Sequence, residues 1–351
     1  MTLTSILEEE IEAGSFPGGA ALVGDAGKIV ARAHAGRAAV LPGDEPLDAE
    51  TLFDLASLTK ALAAGGLTWA AREEGLDLRS PPGRFLAGWK RTRYDGITLE
   101  MLLTHTSGLP AWFPLYAGGE GAGAYRRTLG EIEPEAIPGA VVVYSDIGFL
   151  VLGDVLEAFF AAPIDRAFSD LVAAPAGSGA RFLPPDPALC AATEAGDVTE
   201  RNMTAALGLS YPHFRTGVVR GDVHDGNAFR RGGVSAHAGL FGTAGDVWAL
   251  ARPWLDPGRR EFTRDRTPGL SEARGLAWQG ARGASSIPDE GFSPGSFGHT
   301  GFTGTSVWID PDREQIVVLL TNRVHPEARG DFNEVRRRFH RKVLEGEFGE
   351  R

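Results

Sequence analysis

Both ends of this 351-residue chain read as antiparallel β-hairpins, and a sheet fed from both ends forces the chain between them to leave it and return. Near the N-terminus, strands over residues 19–23 and 29–35 flank Gly24-Asp25-Ala26-Gly27, a good hairpin turn. Near the C-terminus, strands over 305–309 and 315–321 flank Asp310-Pro311-Asp312-Arg313. Helices accompany both hairpins. Leu3, Ile6, Leu7 and Ile11 mark one face of a first helix stopped by Gly14. Phe332, Val335, Phe339, Val343 and Leu344 recur at helical spacing in a last one, and residues 246–255 form another apolar-faced helix. Between residues 75 and 230, clusters such as Pro81-Pro82-Gly83 and Leu183-Pro184-Pro185 separate short helical segments. A strongly apolar buried helix is expected within this stretch, over 148–161. The expected fold is therefore α/β (α+β), an antiparallel sheet with helices on both faces. A discontinuous domain of residues 1–74 and 231–351 would carry the sheet, with 75–230 as a mostly helical inserted lobe.

Charge narrows the partners. A net charge of −11 and a pI near 5.3 argue against nucleic acid or an anionic membrane surface. The single cysteine, Cys190, excludes an internal disulfide. The first residues carry Glu8, Glu9, Glu10 and Glu12, with no basic start and no apolar run, so no signal peptide is read and a cytoplasmic location is expected.

Residues 57–74 read as a helix opening on Ser57, with Lys60 one turn on, so the two side chains share a face. A serine hydroxyl is a weak nucleophile unless a neighbour takes its proton. Lysine can do so as a neutral amine, which requires a pKa below its ordinary value, and arginine cannot. Gly65-Gly66 in mid-helix predicts a close approach by another element. Further on, Tyr144-Ser145-Asp146 precedes the apolar helix. Ser145 or Asp146 suits its N-cap, and a Tyr144 hydroxyl beside Lys60 could share the proton transfer. Finally, His299-Thr300-Gly301-Phe302 leads into the last hairpin, where glycine marks a close approach to the backbone. An extended substrate along that strand is the functional reading; ordinary hairpin glycines and a part-buried histidine are the structural one.

Ser57-Leu58-Thr59-Lys60, Tyr144-Ser145-Asp146 and His299-Thr300-Gly301 resemble, in order and rough spacing, the motifs of the penicillin-recognising serine hydrolases. These comprise class C β-lactamases, D-alanyl-D-alanine peptidases and β-lactamase-like esterases. The segment Leu102–Pro110 is similar to the family's stretch after the nucleophile helix. Residues 221–228 and 237–241 resemble its esterase-like, penicillin-binding-protein-like members. The resemblance spans residues 15–345. It implies Ser57 as nucleophile, Lys60 and Tyr144 as the base pair, and the backbone N–H groups of Ser57 and Phe302 as the oxyanion hole. It also implies a substrate strand at His299, Thr300 and Gly301, and no cofactor.

Two positions depart from the antibiotic-processing members. Asp146 stands where the family pattern has asparagine, and an ionised carboxylate cannot donate a hydrogen bond to substrate. His299 stands where the pattern has lysine, which removes a fixed positive charge at neutral pH. Both departures turn the expectation toward ester or small-amide hydrolysis of a small-molecule substrate. β-Lactam hydrolysis and D-alanyl-D-alanine carboxypeptidase or D-aminopeptidase activity are the alternatives; a non-catalytic binding or self-associating scaffold is the alternative of another class. Trp112, Phe113 and Tyr116 suit either an acyl pocket or core packing. His105, His224 and His237 are expected to anchor loops, since no zinc-ligand spacing is present and no metal is expected. Arg336-Arg337-Arg338 reads as a solvated helix face. The oligomeric state is not legible.

Overall fold

The computed structural model describes residues 2–90, 92–119, 121–284, 286–287, 291–328 and 330–346. Six helices position the features that matter: α1 (Leu3–Glu12), α2 (Gly66–Glu73), α3 (Asp146–Phe160), α4 (Val198–Ala206), α5 (Ala244–Ala251) and α6 (Asn333–Glu345). The strands are β1 (Gly18–Gly24), β2 (Ile29–Ala39), β3 (Glu45–Pro46), β4 (Phe53–Asp54), β5 (Arg181–Phe182), β6 (Leu240–Gly242), β7 (Gln279–Gly280), β8 (Phe297–Thr300), β9 (Ser306–Asp310) and β10 (Gln315–Thr321).

Seven of them form one antiparallel sheet in the order β3-β2-β1-β10-β9-β8-β7, so the two terminal hairpins meet where Leu22 faces Val318 across β1 and β10. The period of two along β10 then sorts its side chains. Val317 and Leu319 pack with Leu3, Ile6 and Leu7 of α1 and Val335, Phe339 and Val343 of α6. Ile316, Val318 and Leu320 point the other way, into the large core that includes Leu62, Leu67, Phe149, Leu150 and Val247. Helices thus cover both faces, as the hairpins and amphipathic helices implied. In a second, three-stranded sheet β4-β6-β5, β6 pairs on one side with the strand that leads to Ser57 and on the other with residues 181–182. No single helix among the described residues is long and apolar enough to cross a membrane.

The expected 57–74 helix is broken into two geometries. Residues Lys60–Gly65 form a π-helical turn between α-helical Leu58–Thr59 and the α-helix Gly66–Glu73. A π-turn widens the helix by one residue and recurs at functional sites. The mid-helix glycines have the expected reason: a Cβ on Gly66 would stand 2.7 Å from Val172 Cγ1.

Leu319 is fully buried between β10 and the α1–α6 layer. Leu319→Ala is therefore expected to cost about 2–5 kcal/mol. The denaturant midpoint should fall with the slope of the transition unchanged.

Candidate active site

Ser57 sits on a pinned turn. The chain leaves β4, passes Ala56 at φ +47°, and enters the helix. An L-residue in that left-handed region is strained unless its surroundings hold it. Here they do. The buried Asp54 carboxylate accepts hydrogen bonds from Ala56 N–H at 2.8 Å and from His224 N–H at 2.6 Å. Thr303 Oγ1 donates to the Asp54 carbonyl at 2.7 Å, and Thr305 Oγ1 to the Leu55 carbonyl at 3.0 Å. Burial pushes the Asp54 carboxyl above its ordinary pKa, while the two N–H donors work against that rise. Gly301 is where the β8–β9 turn approaches most closely: a Cβ there would lie 2.1 Å from Thr305 Oγ1 and 2.6 Å from the Leu55 carbonyl oxygen. The sequence motif read as substrate-binding thus also braces the turn that carries Ser57.

Lys60 is completely buried. Its Nζ donates to Ser57 Oγ at 2.8 Å and to the His237 carbonyl at 3.2 Å, and it pairs with Asp146 Oδ1 at 2.7 Å. It also donates to the Tyr144 side chain and lies 4.9 Å from that ring's centre. Burial disfavours the ammonium, but Asp146 and Tyr144 more than offset this, and the Lys60 pKa is raised above 10.5. The expectation of a neutral lysine is therefore overturned. A carboxylate at the asparagine position of the family pattern keeps Lys60 charged at neutral pH.

Tyr144 precedes the Ser145 N-cap of α3, whose Oγ accepts from Gly148 N–H at 3.0 Å and donates to the Pro110 carbonyl at 2.6 Å. His105 Nδ1 accepts from Ser145 N–H at 2.9 Å. His237 joins Asp225 Oδ1 through Nε2 at 2.8 Å and Ser235 Oγ through Nδ1 at 2.8 Å, and His224 meets Glu194 at 3.2 Å. All three histidines anchor loops. Ligand atoms of Asp146, Asp225 and His237 lie within 4.8 Å of one another, a spacing that could hold a cation. The positive charge in contact with Asp146 there is the Lys60 ammonium.

Ser57, Tyr144, Asp146, Trp112, Thr300, Gly301 and Phe302 line one cavity of about 370 Å³. Among the described residues, neither Ser57 N–H nor Phe302 N–H donates a hydrogen bond within the protein, and both residues line the cavity. His299 is the exception. It is 2% exposed and does not line the cavity. Its Nδ1 donates to the Thr300 carbonyl at 2.8 Å, and its ring lies 6.0 Å from that of Tyr144. Alternation along β8 puts His299 on the face of Phe297, toward the core, so its assignment to substrate is corrected. Burial, with Lys60 and Arg274 nearby, pushes its pKa down to about 3.

Two walls escaped the sequence reading. On α4, Thr199, Glu200 and Met203 line the cavity. Glu200 accepts from Tyr116 Oη at 2.5 Å and from Gly226 N–H at 2.8 Å, and burial together with Asp225 pushes its pKa up to about 7. Tyr116 is thus a buried hydrogen-bonding residue, while Phe113 packs on the core. On α6, Arg336 is only 5% exposed, lines the cavity and donates to the Gly301 and Thr305 carbonyls. Burial pulls its pKa down to about 9, still above neutral pH. The expected solvated face holds for Arg338, which pairs with Glu10 at an exposed edge, but not for Arg336. The positive charge absent at His299 is delivered from the last helix instead.

A nucleophile turn on an antiparallel sheet, with a serine, lysine and tyrosine gathered against helix α3, is the arrangement of a serine hydrolase with the penicillin-recognising fold. Comparisons with known proteins agree. A family model described as "Beta-lactamase" matches residues 3–342. An Escherichia coli O157:H7 protein named "Putative D-alanyl-D-alanine carboxypeptidase" is 31% identical over 91% of this chain and 81% of its own length. Among solved structures, "EstCE1, a hydrolase with promiscuous acyltransferase activity" has a TM-score of 0.75 at 20% identity, covering 99% of this chain and 97% of that one. "A class C beta-lactamase" has a TM-score of 0.74 at 18% identity, covering 99% and 96%. The chain belongs to the beta-lactamase family of serine hydrolases.

Removing the counter-ion tests the charge on Lys60. Asp146→Asn leaves only Tyr144 to oppose burial, the largest influence on Lys60, so the Lys60 pKa should drop below its unfolded value. The unfolded chain then binds more protons than the folded one, and stability rises with pH. Urea denaturation should show a deficit relative to wild type that is largest near neutral pH and shrinks toward pH 10.5, the ordinary lysine value. In the wild type the contribution of the ion pair is complete below that value and is lost only above it.

Proposed function

We propose that this protein hydrolyses esters or small amides through an acyl-enzyme on Ser57. The observation that carries the reading is the 2.8 Å hydrogen bond from a buried, charged Lys60 to Ser57 Oγ, inside a cavity that also holds Tyr144 and two free backbone N–H groups. Ser57 Oγ attacks the carbonyl carbon, and its proton passes to the Tyr144 oxygen, because Lys60 already carries its full complement of protons. The oxyanion is met by Ser57 N–H and Phe302 N–H. Tyr144 returns the proton to the leaving group, and water then releases the acyl group by the same route in reverse. Lys60 supplies charge and orientation throughout. Trp112, Met203 and Phe302 (43% exposed) offer apolar surface at the mouth for the acyl or leaving group.

Arg336 favours a second reading within the same chemistry. A buried guanidinium bonded to the carbonyls of Gly301 and Thr305 gives the cavity a fixed cation beside the substrate strand. A substrate carrying a carboxylate near its scissile bond, such as a D-alanyl-D-alanine peptide or a β-lactam, would be matched there. The name of the Escherichia coli relative points the same way.

Two experiments separate these readings. Intact-mass spectrometry after a fluorophosphonate probe should show one adduct, on Ser57; full esterase activity in Ser57→Ala would sink the acyl-enzyme scheme. Activity on p-nitrophenyl acetate and butyrate, D-alanyl-D-alanine peptides and nitrocefin then ranks the substrates. In Arg336→Met, kcat/KM for a carboxylate-bearing substrate should drop relative to that for p-nitrophenyl acetate by about tenfold or more, the worth of one charged hydrogen bond. An unchanged ratio would exclude the carboxylate reading. Lys60→Arg should lose most activity despite retaining charge, since a planar guanidinium cannot reproduce the bonds of a point ammonium.

A further inference from the structure

The ring of Tyr144 has a second cation over it. Arg274 Cζ lies 5.5 Å from the ring centre, while Lys60 Nζ lies 4.9 Å away. Arg274 comes from the segment that leads into β7, the strand beside β8, and is 3% exposed. Its backbone N–H donates to Thr267 Oγ1 at 2.9 Å and its carbonyl accepts from Arg266 N–H at 2.8 Å, so the residue is fixed at its root. At its tip one nitrogen is bonded to Glu272, and buried Nε has no hydrogen-bond partner.

Among the described residues, the other groups around the ring come from three elements, and none adds a positive charge. His105 stands 4.5 Å away and His299 6.0 Å. His105 Nδ1 accepts the Ser145 N–H, so its single proton is on Nε2; His299 Nδ1 faces a carbonyl, so its proton is on Nδ1. Both remaining Nε2 atoms are buried without partners. Burial, with Arg274 and Lys60 adding to it, holds both imidazoles neutral. Asp146 is paired with Lys60, and Phe149 is apolar. Arg274 is thus the other fixed cation at the ring.

We propose that Arg274 is a positioning residue for acyl transfer, the second of two cations that hold and stabilise Tyr144 while it carries negative charge. The inference rests on the acyl-enzyme reading above. In the step concerned the Ser57 O–H bond breaks, its proton joins the Tyr144 oxygen, and Arg274 neither gains nor loses a proton. A cation over an aromatic face is attracted to the ring, and more strongly to one bearing negative charge in a dry site. Arg274 reaches the ring from the segment that precedes β7.

The test compares Arg274→Met, Arg274→Lys and Glu272→Gln in the full chain. The rates of Ser57 labelling by a fluorophosphonate and of p-nitrophenyl acetate hydrolysis would be followed across pH, with thermal melts as a check on folding. In Arg274→Met, kcat should fall about tenfold at neutral pH with KM little changed, and the rise of rate with pH should move upward by about one unit, as for a lost charge at this distance. Arg274→Lys should recover most of both effects. Glu272→Gln, which leaves the guanidinium less neutralised, should move the rise the opposite way. If the methionine and lysine variants fall equally at every pH, Arg274 only packs, and the proposal is overturned. Should the methionine variant fail to fold, an unmoved profile in Glu272→Gln and Arg274→Lys overturns it as well. A wild-type protein labelled somewhere other than Ser57 overturns the acyl-enzyme reading together with this one.

Discussion

The structure turns on a buried ammonium with a carboxylate beside it. Lys60 has no contact with solvent, and a charge taken out of water at such a position is costly unless a counter-ion and hydrogen bonds replace its hydration. Asp146 at 2.7 Å supplies the counter-ion, while Ser57 Oγ, the His237 carbonyl and Tyr144 take the donors. These four partners sit on three pieces of chain: the Ser57 turn, the start of α3 with Tyr144 and Asp146, and the loop before β6 with His237. Satisfying one cation therefore draws those pieces together, and the same contacts that neutralise the charge assemble the chemistry.

Around that centre the scaffold holds the Ser57 turn from both sides. The β8–β9 turn reaches over through Thr303 and Thr305 to the carbonyls of Asp54 and Leu55, and Gly301 lets it come close. Asp54 ties the same turn to His224. A left-handed Ala56 persists because this network leaves it no alternative, and preorganised geometry at a nucleophile is what removes reorganisation from the reaction. Glu200, Asp225, Arg323 and Arg336 all line the cavity, so groups of both signs border it.

What could be read beforehand depended on range. Hairpin turns, amphipathic periods and the Ser57–Lys60 spacing are local patterns, and the sheet, its covering helices and the shared face of those two side chains followed from them. Tyr144 was found through the cap signal next to it and the resemblance of its motif. Glu200, Asp54 and Arg274 carried no such signal: each is an ordinary charged residue in its local sequence, and only burial makes it consequential. His299 and Arg336 misled for the same reason. A strand histidine in a glycine-rich motif looked like a substrate contact, and an arginine in a basic helix run looked solvated.

Sequence by itself thus determined the two terminal hairpins, the amphipathic helices that cover their sheet and the shared face of Ser57 and Lys60. Each is set by neighbours within a few turns of chain. Tertiary structure alone decided the charges: that Lys60 remains an ammonium, that His299 is neutral and turned inward, and that α6 brings the buried Arg336 to the cavity, more than thirty residues beyond β8. Protonation and polarity depend on the distance to a counter-charge and on the depth of burial, and neither quantity exists until the chain has folded.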